Sequence, residues 1–349
     1  MSEFDYGTIS DEAIRIEYRS IMRRANVMSS AIHRIYGEDR PPINFKYVEA
    51  DTFNASASLN NEGYLIELNS SVPLFLLILF SRLLSDPRVL PHLSSKEAIV
   101  SDFTIPAIID PSDFNRRADW KISLGPIRSF AAGTLADICA TFVISHEIGH
   151  VISGHVDAYR EIDGALSLNE LVSRSTVSAE TTQRRQAWEL DADATAATLM
   201  MNFVDELRNL SKTNDRVRAV FSAGEHTLEN ILAISIVSLF AFFCYLKGSR
   251  DALGLTSSHP HPFVRAYYLR NLMVNAALDR WDFDADVFMK FSDDRLDEFL
   301  IVMEDIAIFD PQSFSEETDQ AINDEISRLI VFQEKFRPVC TPWSWISWG

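Results

Sequence analysis

The stretch VISHEIGHVISGH, residues 143 to 155, sets three histidines and a glutamate into a run whose other members are apolar or small. A helical residue advances by about 100°, so His146 and His150, four apart, lie on one face with imidazoles able to converge on one ion. Glu147 stands beside them, placed to reach a water held by that ion rather than the ion itself. The pattern is HExxH, in which two neutral nitrogens ligate a metal and a carboxylate acts as general base. Zinc brings the pKa of a bound water toward ~7, and the carboxylate takes its proton as the water attacks a carbonyl. The alternative is a helix whose histidines hold only hydrogen bonds. The flanks Phe142, Val143, Ile144, Val151 and Ile152 favour a shared ligand, because polar groups left unpaired in apolar surroundings are costly.

His155 follows His146 by nine residues, roughly half-way round the helix. It should point away from the ion and serve, past Gly154, as a capping residue or a support for a ligand. The metzincin pattern would need glycine and histidine where this chain has Ser153 and Val156. The better third ligand lies in AWELDADATAA, residues 187 to 197, where Glu189 and Asp193 share a helical face and Asp191 points roughly opposite. One carboxylate can bind the metal while the next orients a ligand histidine through its other ring nitrogen. Acidic residues also favour first helical turns, but Ala192, Ala194, Ala196, Ala197 and Leu199 mark a close-packing helix, a poor setting for idle carboxylates. In TSSHPHPFVRAYYL, residues 256 to 269, His259 and His261 sit in a proline-stiffened turn ahead of Arg265. Fixed donors there can stabilise the oxyanion formed as water adds to a peptide carbonyl.

The elements that must position these groups read as an α+β fold, mostly helical. Ile14, Ile16, Ile21, Met22, Val27, Met28, Ile32 and Ile35 recur at helical spacing up to Gly37, and Pro41 and Pro42 follow. Phe45, Tyr47, the segment NASASL from Asn54 and YLIEL from Tyr64 alternate around the turn NNEG, which predicts a small antiparallel sheet. The metal-binding helix should run from about Phe130 to Ser153 and stop at Gly154, suited to a left-handed cap. Residues 99 to 126 read as loop, and residues 157 to 187 as an exposed, partly helical connection. Helical spacing resumes from Ala187 to Leu207, and the last hundred residues are acidic and helical in pattern up to the tail PWSWISWG. Three parts follow: an N-terminal helical segment, 1–42; a core that carries the HExxH segment, 43–275; and an acidic helical region with a tryptophan-rich tail, 276–349.

Composition narrows the partners. Of 349 residues, 47% are hydrophobic, enough for a packed core, and the net charge of −18 opposes attraction to nucleic acid or anionic lipid. Three cysteines in no metal-type or disulfide-type spacing, and an N-terminus without a basic and apolar leader, predict a cytoplasmic protein. Ile231–Leu246 carries no charge over sixteen residues, but a bilayer span takes about 20, so a buried core helix is expected. The acidic C-terminal region reads as a solvated face and Trp343, Trp345 and Trp348 as closing over a core.

Taken together, His146-Glu147-x-x-His150, Glu189 with Asp193, and His259 with Arg265 resemble the gluzincin metallopeptidases. The likeness is to the branch of the CAAX prenyl proteases and to Lit-type phage-exclusion peptidases without long membrane spans. That resemblance implies zinc held by His146, His150 and Glu189, with Glu147 as base, Asp193 orienting a ligand, His259 at the transition state and Arg265 holding the acidic groups. It also implies that Asn54-Ala55-Ser56-Ala57 is an edge strand along which an extended peptide pairs. The implied activity is a soluble zinc endopeptidase acting on an intracellular protein. The competing readings are a catalytically silent binding or sensor module on the same scaffold, and a membrane-associated protease.

Overall fold

The computed structural model describes residues 2–93, 105–113, 117, 120, 122–164, 167–169, 178–221, 226–247, 259–278, 283–293, 302 and 316–347. Parts of the loop expected over residues 99 to 126, the start of the His-Pro turn and Trp348 lie outside them. The fold is α+β and mostly helical. Helix α1 (Glu12–Tyr36) opens on Asp11, whose carboxylate accepts from the Ala13 and Ile14 amides, and stops at Gly37, whose φ of 110° suits a residue without Cβ. Its inner face is Ile14, Tyr18, Ile21, Ala25, Ser29 and Ile32. Of the residues read at helical spacing, Ile14, Ile21 and Ile32 lie on that face and Met22 and Met28 pack at its margin, whereas Ile16, Val27 and Ile35 are exposed.

Three strands follow: β1 (Ile43–Val48), β2 (Ala55–Asn60) and β3 (Gly63–Asn69). β2 and β3 form the hairpin read from NNEG, with Asn60 facing Gly63 across the turn. Gly63 is obligatory there: its φ is +118°, and a Cβ would stand 2.5 Å from the Pro42 carbonyl oxygen. The sheet is nevertheless mixed rather than antiparallel, because β1 runs parallel to β3 with Ile43 opposite Tyr64. A further strand, β4 (Ser167–Asn169), pairs antiparallel with Ser56, Ala57 and Ser58, giving the order β1-β3-β2-β4. β2 is therefore not an edge strand over Ser56 and Ala57, and the expected open substrate edge is corrected: chain returning after the metal-binding helix covers it.

Helix α2 (Val72–Leu83) is apolar all round and packs on α3 (Pro126–Ile152), which begins on a proline after Gly125 and is buried almost throughout from Ala131. Ser153 and Gly154, the latter at φ +78°, turn the chain into α4 (His155–Asp163). That helix hides His155, Val156, Ala158 and Tyr159, the last two inside the connection read as exposed over residues 157 to 187. α5 (Ala179–Leu210), α6 (Asp215–Phe221), α7 (Thr227–Lys247), α8 (Pro262–Leu278) and α9 (Glu316–Cys340) complete the described helices named here. α3 is the hub, in contact with α1, α2, α4, α5, α6, α7 and the sheet, while α9 lies along α5 and α8.

Both α3 and residues 227–246 of α7 are long and apolar enough to cross a membrane. Both also pack mainly against the rest of the chain, the α7 segment almost completely, as core helices do. Ser235 and Ser238 of α7 return their hydroxyls to the carbonyls of Ile231 and Ile234, which removes the cost of burying them. In the tail, Trp345 is buried, donates its amide to the Ile152 carbonyl (2.8 Å) and meets the Tyr64 ring edge-on.

α1 is clipped to α3 by Arg24, which reaches Asp137 Oδ2 at 3.0 Å and Thr141 Oγ1 at 3.1 Å. Glu17, on the same helix, sits beside Gly133. Burial, then the neighbouring Asp137, against the pull of Arg24, pushes its carboxyl up from 4.5 to about 7. A carboxyl with a raised folded-state pKa binds its proton more tightly than the unfolded chain does, so it withdraws stability as pH climbs from 4.5 to about 7. Glu17→Gln should therefore raise the stability of the chain by about 1 kcal/mol at pH 8 and leave it nearly unchanged at pH 4.5. Denaturant melts at the two pH values check this, and an equal difference at both would refute it.

Candidate metal centre

The two helices that carry the site meet at Gly149, inside the HExxH segment. A Cβ on Gly149 would stand 2.8 Å from Ala192 Cα and 2.9 Å from the Ala192 carbonyl oxygen. With Ala192, Ala196 and Ala197 fully buried on the facing helix, α5 lies almost backbone to backbone on α3. The approach sets the turn bearing Glu189 and Asp193 opposite the turn bearing His146 and His150.

His146 Nε2 and His150 Nε2 are 3.1 Å apart. Glu189 closes the group, with Oε2 3.3 Å from His146 Nε2 and Oε1 3.4 Å from His150 Nε2. Zinc bound at ~2.0–2.2 Å by tetrahedral nitrogen and oxygen donors keeps its ligand atoms about 3.3 Å apart, so the spacing fits a first-row metal ion. The chemistry of the set fits as well. Two imidazole nitrogens aimed at each other cannot both carry protons, and the buried Glu189 Oε2 makes no hydrogen bond among the described residues. Residues His146, His150 and Glu189 can thus hold a metal ion.

Around these donors lies a layer of charge. Asp193, fully buried, takes His146 Nδ1 at 2.9 Å and is gripped by Arg265 through Nε (2.8 Å) and Nη2 (2.7 Å). Arg265 Nη1 also stands 3.7 Å from Glu189 Oε2, and its guanidinium lies over the Phe240 and Phe243 rings of α7. His259 Nε2 is 3.6 Å from Glu189 Oε1. His261 lies elsewhere: its Nδ1 accepts from the Phe263 amide and caps the start of α8. Glu147 is buried on α3 beside His146. Asn54 holds the mouth of the hairpin, its carbonyl accepting from Asn69, while Ala55, Ser56 and Ala57 are buried in β2.

The electrostatics of the pocket call for positive charge. Burial opposes protonation of His146, yet Asp193 and Glu189 hold its pKa well above the usual imidazole range. Burial raises both carboxyls, but His259 with the two ligand histidines brings Glu189 well below the carboxylate range, and Arg265 with His146 lowers Asp193. Burial keeps His150 neutral by lowering its pKa.

Two parts of the surroundings escape the sequence. Asp191 does point away from the donors, but it is buried against His155, with its Oδ1 accepting from Gln333 (2.9 Å) and Arg337 (2.8 Å) of α9. Asp191 in a run of alanines was a visible signal. Arg337, 146 residues further on, carried none.

A family model of peptidase U49 matches residues 106–280, half of the chain. The chain belongs to the peptidase U49 family. Neither the curated proteins nor the solved structures give a match. The U49 segment takes in α3 through α8, and with them His146, Glu147, His150, Glu189, Asp193, His259 and Arg265. α1, the first three strands and α9 lie outside it.

Two substitutions test this geometry in the U49 chain. Gly149→Ala forces α5 away from α3 and should cost about 1–3 kcal/mol and weaken the binding of a divalent metal ion, read by chemical denaturation and by competition with a chromophoric chelator. Asp193→Asn keeps the shape but removes the anion behind His146, and should weaken metal binding roughly 10–100-fold in the same competition. Unchanged metal affinity in either variant contradicts the arrangement.

Proposed function

We propose that this U49 peptidase is a zinc-dependent endopeptidase of the glutamate-ligand, gluzincin type, which hydrolyses peptide bonds of a protein substrate inside the cell. The observation that carries the reading is the buried His146–His150–Glu189 group, delivered by two helices with its donor atoms 3.1–3.4 Å apart. Three protein ligands of this kind are the mark of catalytic rather than structural zinc, which takes four. When bound, zinc polarises the carbonyl under attack and acidifies the attacking water.

The remaining steps fall to the chain. Glu147, next to His146 on α3, takes the proton of the attacking water and passes it to the leaving amine nitrogen. His259, held at the donor cluster, supplies a hydrogen bond to the oxygen that becomes negative. Asp193 holds His146 by its Nδ1, leaving Nε2 to face the metal, and Arg265 fixes both Asp193 and Glu189, so no ligand moves as charge builds up. An extended substrate that pairs with the sheet would add at β4, which stands at the margin where the resemblance had placed Asn54–Ala57. The net charge of −18 and the buried cysteine thiols support a cytoplasmic protein that binds neither nucleic acid nor an anionic membrane surface.

Metal analysis of the purified protein should find about one zinc per chain, and a chelator should abolish cleavage of a peptide library until zinc is returned. Glu147→Gln should keep zinc and lose roughly 10²–10⁴-fold in cleavage rate, whereas Glu189→Ala should lose the metal. Cleavage that persists in zinc-loaded Glu147→Gln, or without metal, defeats the mechanism. A zinc-loaded wild type that cleaves nothing in the library favours a binding module on the peptidase scaffold.

A further inference from the structure

His146 and His150 are supported in different ways. His146 Nδ1 meets a carboxylate, whereas His150 Nδ1 meets another imidazole nitrogen, His155 Nδ1, at 3.0 Å. The structure assigns His155 as the positioning residue that fixes His150 for metal binding, braced through Asp191 by the C-terminal helix α9. This rests on the zinc reading proposed above.

The proton count forces the roles. With Nε2 of His150 turned to the donor cluster, a neutral ring bears its one proton on Nδ1. Across a 3.0 Å contact that proton is donated to His155 Nδ1, which must then be bare. The proton of His155 is left on Nε2, the atom that faces Asp191 Oδ2 at 3.9 Å. Asp191 is itself held by Gln333 Nε2 at 2.9 Å and by Arg337 through Nη2 at 2.8 Å and Nε at 3.1 Å. The His155 ring stacks on Trp188, 5.2 Å between centroids and 14° between planes, which fixes the plane in which its nitrogens lie.

The backbone is arranged to the same end. His155 returns toward His150 only because Gly154 adopts the left-handed conformation at φ +78°. A Cβ on Gly154 would stand 2.8 Å from the Ser344 amide nitrogen and 2.9 Å from the Cys340 carbonyl oxygen, so the end of α9 and the tail pack on this turn. The Trp345 amide donates to the Ile152 carbonyl at 2.8 Å, one turn before His155. Residues 333–345 lie outside the segment matched to the U49 family, yet they hold the support of one of its metal ligands.

The test measures zinc affinity by chelator competition on wild type, His155→Phe, His155→Asn and Arg337→Gln, with melts of the metal-free proteins alongside. His155→Phe keeps a flat ring on Trp188 but offers no acceptor, and should weaken zinc roughly 10–100-fold. His155→Asn keeps an acceptor near the position of Nδ1 and should recover most of that loss. Arg337→Gln, which alters a half-buried residue far from the donors, should weaken zinc several-fold. The inference is overturned if His155→Phe binds zinc within about twofold of wild type, a loss far below that expected when a ligand's support is removed. It is equally overturned if Asn and Phe are alike weak while both metal-free variants melt as wild type does. Should His155→Phe fail to fold, Arg337→Gln decides alone: weakened zinc supports the inference and wild-type affinity overturns it. A wild type that takes up no zinc fails at an earlier point, since it removes the metal reading itself.

Discussion

The contact of α3 with α5 at Gly149 and Ala192 governs everything else in the site. Ligands on two helices share an ion only if the helix axes are close enough for short side chains to reach it. A glycine facing a row of buried alanines provides that closeness. Larger residues would hold the axes at ordinary helix spacing, ~8–10 Å, and draw the Glu189 carboxylate away from the two imidazoles. Local sequence in both helices therefore serves one distance, and that distance serves the chemistry.

Closeness brings a second problem, which is charge. Glu189, Asp193, Arg265, His146 and His150 are all buried, and ions taken from water into a protein interior cost several kcal/mol each unless they are paired. Arg265 offsets one carboxylate, and the second leaves a negative excess that, with Asp193, holds the His146 pKa well above the usual imidazole range. A divalent cation held by the three donors would meet the same demand. The phenylalanines of α7 that cover Arg265 keep water out and strengthen each of these attractions. The long apolar run of α7 thus has a use inside the protein, walling the charged layer.

Much of the architecture was legible in local pattern. The existence and end of α1, the β2–β3 hairpin and the cap at Gly154 follow from the 3.6-residue and two-residue periods and from glycine's access to positive φ, which act within a few residues of sequence, although Ile16, Val27 and Ile35 fall off the buried face of α1. Strand pairing was less legible. The parallel alignment of β1 with β3 and the cover that β4 places on β2 join segments with no pattern in common, and alternation tells which face of a strand is buried but not its neighbour. The apparent polarity of residues 157 to 187 misled in part for a related reason, since Ala158 and Tyr159 of α4 are hidden where that helix meets α3, β2 and the C-terminal helix α9.

What the sequence by itself determined is the pairing of donors along each helix: His146 with His150 and Glu189 with Asp193, because a four-residue step fixes a shared face whatever the surroundings. Only the tertiary structure decided that the two faces look at each other, that His259 and Arg265 arrive beside them, and that Asp191 is held by Arg337 from the other end of the chain. Those encounters depend on packing between elements up to 146 residues apart. Packing is selected by total burial and shape, which no short stretch of sequence encodes.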